Sequence, residues 1–309
     1  MNFFQSIIIG LVQGIGEFLP ISSSGHLVLV YQMFHITQDT ILLSIFLHIA
    51  TLFSIMYCYR SQLIQLIKHP LCKTNRLLVV ATIPTVIVAF ILKSFITASF
   101  ESDFVIFGFL ITAVLLAIAD YLSESRDIKT INADNMLKTT FITKSNGEVM
   151  CKNNLTSPDI TCMDISYKQA IIIGLAQGLA CFPGISRSGS TISAGLMLNS
   201  DKESITTFSF LLSIPVILGS LLFAILDLSS GVSINTFSLV TSCLVSFLVG
   251  IVSIGLINTV VKKQKLSYFS YYLIGLSFII LAIKFLGWFI FEFWYVFGES
   301  PQQYILYCK

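Results

Sequence analysis

The sequence predicts an all-α polytopic membrane protein built as an inverted-topology repeat, with two re-entrant helix–loop–helix elements and about six transmembrane helices. Three observations carry that prediction. Of the 309 residues, 55% are hydrophobic and 11% charged, and the mean hydropathy is +0.86. A nineteen-residue stretch occurs twice, from Ile7 to Gly25 (IIIGLVQGIGEFLPISSSG) and from Ile171 to Gly189 (IIIGLAQGLACFPGISRSG). Basic residues gather in alternate connections.

Spanning a bilayer as helix takes ~20 apolar residues. Such stretches begin near Ile41, Leu77, Phe104, Ile205, Phe237 and Phe269, too long and too many for one soluble core. The apolar start carries neither a basic n-region nor a small-residue cleavage site, which argues against a cleaved signal peptide. A net charge of +2 gives no reason to expect nucleic acid as a partner. Seven scattered cysteines form no C-x-x-C pair, so neither a disulfide framework nor a zinc site is expected. The chain reads as one integral membrane domain, 1–309. It holds a first repeat over about 1–122, a cytoplasmic polar loop over 123–168, a second repeat over about 169–294 and a tail at 295–309.

The two copies share Ile7/Ile171, Ile8/Ile172, Ile9/Ile173, Gly10/Gly174, Leu11/Leu175, Gln13/Gln177, Gly14/Gly178, Phe18/Phe182, Ile21/Ile185, Ser22/Ser186, Ser24/Ser188 and Gly25/Gly189. Gln, Ser and Gly match as well as Ile, so common apolar composition does not explain the likeness. The copies differ where Glu17 faces Cys181 and Ser23 faces Arg187. One frame thus holds two different halves of a site.

Fourteen of the eighteen basic residues lie in the connections after the first, third and fifth spans, or just before the second repeat and the fourth span. The positive-inside rule puts those connections in the cytoplasm. The segments 97–103 and 228–235, without Lys or Arg, face outward. The Glu17 repeat then enters from the outer face and returns to it, while the Arg187 repeat does so from the cytoplasm. Both termini are expected outside. Each broken half should be ~12–15 residues, about half a bilayer, and such halves meet near the midplane and form the site there. Within 123–168, Thr140 to Cys151 holds the turn Ser145-Asn146-Gly147, compatible with a hairpin. A solvated, partly disordered loop is the favoured reading. The Asn154-Leu155-Thr156 sequon falls on the cytoplasmic side and is read as chance.

A carboxylate at membrane depth costs ~2.5 kcal/mol or more, so Glu17 should serve a cavity or a partner. Gln13 lies one turn earlier on the same face. The pair can hold a divalent cation through oxygen, or place Glu17 as a general base. Ser22, Ser23 and Ser24, with Gly25 and His26, follow the first break. They suit a helix N-cap and equally an anion site of backbone N–H groups. Ser23 beside a base can be a nucleophile, and His26 can be that nucleophile or a general acid. In the second break Arg187 stands among Ser186, Ser188, Gly189, Ser190 and Thr191, and its fork matches phosphate oxygens. The bland alternative is a static Arg187–Glu17 ion pair, and the two roles can coexist. His48, mid-span, can line the cavity or bond a backbone carbonyl, and the latter is the favoured reading. Phe208–Pro215 is read as a proline-containing span packed against the second repeat, with no chemistry assigned.

Gln13-x-x-x-Glu17-Phe18-Leu19-Pro20-Ile21-Ser22-Ser23-Ser24-Gly25-His26, with Pro183-Gly184-Ile185-Ser186-Arg187-Ser188-Gly189-Ser190-Thr191, resembles the bacterial undecaprenyl-diphosphate phosphatase (bacitracin-resistance protein) family. The Phe208–Pro215 segment is similar too, so the resemblance covers almost the whole chain. It implies hydrolysis of the lipid undecaprenyl diphosphate to the monophosphate and inorganic phosphate, recycling the cell-wall carrier. It implies Mg²⁺ or Ca²⁺ dependence, a place in the bacterial cytoplasmic (inner) membrane among membrane lipids, and a site opening to the periplasm. On this chain it makes Glu17 the acidic-motif carboxylate, Ser23 a candidate nucleophile, His26 a catalytic candidate and Arg187 the phosphate-binding arginine. Gln13 stands where many members have a second Glu, which makes it a weaker metal ligand and no base. The 123–168 loop also looks longer than usual. No oligomeric state follows from the sequence. The rival of another class is a transporter or flippase for an anionic isoprenoid lipid, since inverted repeats with midplane sites are above all a transporter architecture. A base, a hydroxyl and an arginine together exceed what binding alone requires.

Overall fold

The computed structural model describes residues 1–36, 40–100, 104–141, 163–227, 235–263 and 265–297. Among them are twelve helices and no strand. The first half holds α1 (Phe3–Gly16), α2 (Ser23–Met33), α3 (Thr40–Cys58), α4 (Arg60–Lys68), α5 (Lys73–Ile91), α6 (Lys93–Phe100) and α7 (Phe104–Phe141). The second holds α8 (Tyr167–Leu179), α9 (Arg187–Met197), α10 (Lys202–Asp227), α11 (Thr236–Lys262) and α12 (Ser267–Phe297). Five helices, α5, α7, α10, α11 and α12, are long and apolar enough to cross a membrane. Helices α3 and α4 pass together as a sixth candidate span, bent by 79° at their junction. All six expected spans therefore have a helix at their place, and the chain is a multi-span membrane protein.

The repeats are interlocked rather than side by side. Helix α1 packs on α11 of the second half, and α8 packs on α5 of the first. The duplicated glycines explain this exchange. A Cβ on Gly10 or Gly14 would strike the Ser242 or Ser246 carbonyl of α11, and one on Gly174 or Gly178 would strike α5 at Ala81 or Val88. Small residues one turn apart let helix backbones touch, which is how helices associate without a hydrophobic driving force. Hydroxyls stitch the same contacts: Thr85 donates to the Gly174 carbonyl (2.8 Å), and Ser54 of α3 to the Phe247 carbonyl of α11 (2.8 Å). Large apolar side chains such as Phe90, Phe107, Val252 and Phe278 point outward, while Ser54, Thr85, Thr112 and Ser246 are buried. That distribution suits a lipid surround.

Two segments depart from the sequence reading. Helix α7 continues to Phe141, well into the stretch read as loop, because residues 123–141 hold neither glycine nor proline to stop it. The far end of that stretch is packed: Met163 and Ile165 are buried in the main core cluster, and Lys73 Nζ donates to the Met163 carbonyl (3.0 Å). The Ser145-Asn146-Gly147 turn and the Asn154 sequon lie outside the described residues. Helix α10, carrying Pro215, packs against α9 as expected, and also reaches the first repeat through Phe210, edge-on to Phe18 at 5.6 Å.

Candidate active site

Each repeat forms two short helices joined at a break, and the two breaks touch. Helix α1 (14 residues) ends at Gly16, where a Cβ would stand 2.8 Å from Ser23 Cα. Only a glycine lets the start of α2 (11 residues) lie this close. Helices α8 and α9 repeat the arrangement with 13 and 11 residues. Gly184 sits at φ +85°, where L side chains are strained. Across the gap, a Cβ on Gly25 would meet Phe109 and Gly184, and one on Gly189 would meet Pro20. Thr112 of α7 clamps the second break, accepting from the Ser186 amide (2.9 Å) and donating to the Gly184 carbonyl (3.1 Å).

Glu17 is the hub of the junction, 6% exposed. Its Oε1 pairs with the Arg187 guanidinium from the other repeat. Its Oε2 accepts from Ser23 Oγ at 2.7 Å and from Gln13 Nε2 at 3.2 Å. The other end of that amide, Gln13 Oε1, is buried without a hydrogen-bond partner. Ser23 and Arg187 are the first residues of α2 and α9, so two helix N-termini, with their free N–H groups and positive dipole ends, bring these side chains to one carboxylate.

The remaining serines hold the backbone. Ser22 caps α2 through the Gly25 amide (3.4 Å) and Ser186 caps α9 through the Gly189 amide (3.1 Å). Ser22 and Ser24 hydroxyls lie 3.2 Å apart, and Ser186 and Ser188 3.3 Å apart. Thr191 bonds Ser209 of α10 at 2.6 Å.

His26 bears on α12 and α7. Its Nδ1 bonds the Ser22 carbonyl (2.8 Å), its Nε2 bonds the Tyr272 hydroxyl (2.8 Å), and its ring packs on Tyr272 and Phe109. Glu17, Gln13, Ser23 and Arg187 are thus brought together, whereas both ring nitrogens of His26 are engaged elsewhere. The sequence reading of one neighbour of Glu17, His48, does not pair it with that carboxylate. His48 does bond a backbone carbonyl, that of Ser44, but its Nε2 also lies 3.6 Å from Glu17 Oε2. Tyr272 was likewise unseen, as one tyrosine among eleven.

Residues 6–279 match the model of the bacitracin resistance protein BacA family. The chain is 35% identical over 288 residues to a Bacillus thuringiensis subsp. konkukian protein named undecaprenyl-diphosphatase 4, covering 92% of this chain and 98% of the relative. An undecaprenyl-diphosphatase of Alkaliphilus metalliredigens is 36% identical over 295 residues (88% and 95% covered). One of Methanosphaera stadtmanae is 35% identical over 308 residues (92% and 99%). With a match that covers both breaks, five spans and the first part of the sixth, this chain belongs to the bacitracin resistance protein BacA family.

Proposed function

We infer that the chain is an undecaprenyl-diphosphate phosphatase, hydrolysing the lipid diphosphate to undecaprenyl phosphate and inorganic phosphate. The observation that carries the mechanism is the Ser23 hydroxyl bonded to Glu17, whose other oxygen is held by Arg187. In the absence of substrate Arg187 balances Glu17. When the terminal phosphate arrives, Arg187 turns its fork to the phosphate oxygens, which frees the carboxylate. The N–H groups opening α2 and α9 then face the charge that develops at phosphorus.

Ser23 Oγ attacks the terminal phosphorus and its proton passes to Glu17 Oε2. A new O–P bond forms, the bond to the bridging oxygen breaks, and undecaprenyl phosphate leaves. Water then releases inorganic phosphate from Ser23, returning the proton to the hydroxyl. Attack by a water activated by Glu17 uses the same residues, with Ser23 as a hydrogen-bond donor. His26 is the weaker candidate nucleophile, because Ser22 and Tyr272 occupy both ring nitrogens.

A divalent cation, Mg²⁺ or Ca²⁺, fits this donor set. Gln13 Oε1 is a buried oxygen with no partner, and it belongs to the amide that touches Glu17. Among the described residues no group of three or more His, Cys, Asp or Glu stands ready for a metal. Glu17 and Gln13 would therefore hold the ion together with substrate phosphate oxygens, as Mg²⁺ is commonly held. When bound, the ion supplies charge neutralisation for the diphosphate.

Phosphate release from undecaprenyl diphosphate by the purified protein is the test. Lipid movement without release would establish the transporter reading instead. The orientation, with basic connections cytoplasmic, rests on charge distribution, and a site open to the periplasm is what the family resemblance implies. In a background lacking the seven cysteines, Thr97→Cys should react with an impermeant thiol reagent in intact cells. Gln65→Cys should react only after the membrane is opened, and the reverse pattern would invert the topology.

A further inference from the structure

In its neutral form His48 presents a nitrogen lone pair to the site. A carbonyl only accepts, so the 2.6 Å contact with the Ser44 oxygen puts the proton of the neutral ring on Nδ1. Nε2 is then the free donor atom, and it lies 3.6 Å from Glu17 Oε2. That separation is beyond a hydrogen bond and is an ion pair when the ring is protonated; with the ring neutral, the two electron-rich atoms leave a place for a cation between them. Ligand atoms about 2.1 Å from one cation stand roughly 3.0–3.4 Å apart, a few tenths of an ångström from what is found. Metal-bound histidines almost always donate their other N–H to a carbonyl or carboxylate, as His48 does. The ring rides on α3, whose Thr51 and Ser54 hydroxyls are tied to carbonyls around it. Its side chain is 31% exposed, so the nitrogen is not sealed in apolar packing.

We propose that His48 Nε2 is a ligand of the divalent cation at this site, beside Glu17 Oε2 and Gln13 Oε1. The proposal rests on the phosphatase reading and adds to it a nitrogen donor. Its consequence is selectivity. Imidazole suits Fe²⁺, Ni²⁺ and Zn²⁺, whereas Ca²⁺ takes oxygen ligands, so Ni²⁺ should bind more tightly than Ca²⁺ to the whole protein, and Mn²⁺ serves as the spectroscopic probe.

Pulsed electron paramagnetic resonance of Mn²⁺ on the purified chain reads the ligand without turnover. The expected result is a ¹⁴N coupling in the native protein that vanishes in His48→Gln, with Mn²⁺ affinity falling roughly tenfold or more. A coupling that survives in His48→Gln and vanishes in His26→Gln would assign the nitrogen to His26 and overturn the proposal. Mn²⁺ bound without any ¹⁴N coupling, or no Mn²⁺ binding that Glu17→Gln abolishes, would overturn it as well. Phosphate release measured on the same samples keeps the two readings apart. Release without nitrogen coupling removes His48 as ligand and leaves the phosphatase. Coupling without release does the opposite.

Discussion

The first and second breaks are built on one frame and do opposite electrostatic work. Gln13 and Gln177 occupy equivalent places, both buried. The Gln13 amide donates to Glu17, whereas both polar atoms of the Gln177 amide lack a partner, because Cys181 stands where a carboxylate would be. The bends differ as well. The second takes its left-handed residue as Gly184, at no steric cost, and leaves Ser186 relaxed at φ −74°. The first places Ser22 itself at φ +68°, ψ +97°, a conformation that costs a non-glycine residue ~1–3 kcal/mol. The strained backbone adjoins Ser23, while the relaxed one adjoins Arg187. The two copies keep one scaffold and divide its polar groups: the first carries the Glu17 carboxylate and the Ser23 hydroxyl, the second the Arg187 guanidinium, which in the proposed mechanism are base, nucleophile and phosphate clamp.

Removing the charge that separates the two breaks should have the largest effect. Glu17→Gln takes away the proton acceptor and the anionic oxygen together, and turnover should fall by about 10²–10⁴ or more. An unchanged rate of phosphate release across pH and metal concentration would deny both roles. Ser23→Ala follows, with a loss of about 10³-fold on the nucleophile reading, the remainder coming from water and the intact phosphate clamp. Stereochemistry at phosphorus decides how that loss is read, since two displacements retain and one inverts. Net inversion would exclude both Ser23 and His26 as nucleophiles. Arg187→Lys keeps the charge that balances Glu17 and loses the planar fork, so the protein should fold and lose about 10²-fold in rate. A near-native rate would show that the second break is not the clamp. The smallest effect belongs to the idle half of the frame. Gln177→Met should leave the rate within twofold and raise stability in thermal unfolding by about 1–3 kcal/mol, the cost of an unsatisfied buried amide. A rate loss like that of Gln13→Met would mean that the second glutamine has work of its own.

The spans were legible because each is a long apolar run, and the breaks because Pro20, Pro183, Gly184 and the serines interrupt such runs. The Glu17–Arg187 pair was legible for a related reason: within the two copies these are the only charged residues. His48 was not. A histidine in an apolar helix reads the same whether its ring meets a carbonyl or a carboxylate, and here Nδ1 meets one and Nε2 faces the other. His26 shows the converse. Its place in the motif announced chemistry, while its ring partner, Tyr272, comes from the last helix, a separation no local pattern reveals. The extension of α7 is not legible because a polar composition reads as loop, although composition alone does not end a helix.

The exchange of partners between halves has a consequence for how the protein is made. The glycine face of α1 packs on α11, so the first helix to leave the ribosome waits in the membrane until nearly the last one arrives. Chains lengthen at about 5–20 residues per second, which leaves Gly10 and Gly14 exposed to lipid for many seconds. The α5 surface that receives α8 is filled sooner, so the Arg187 break should dock before the Glu17 break closes over it. Either half expressed alone would present an unfilled glycine seam, and the two expressed together could find each other through the same pair of seams.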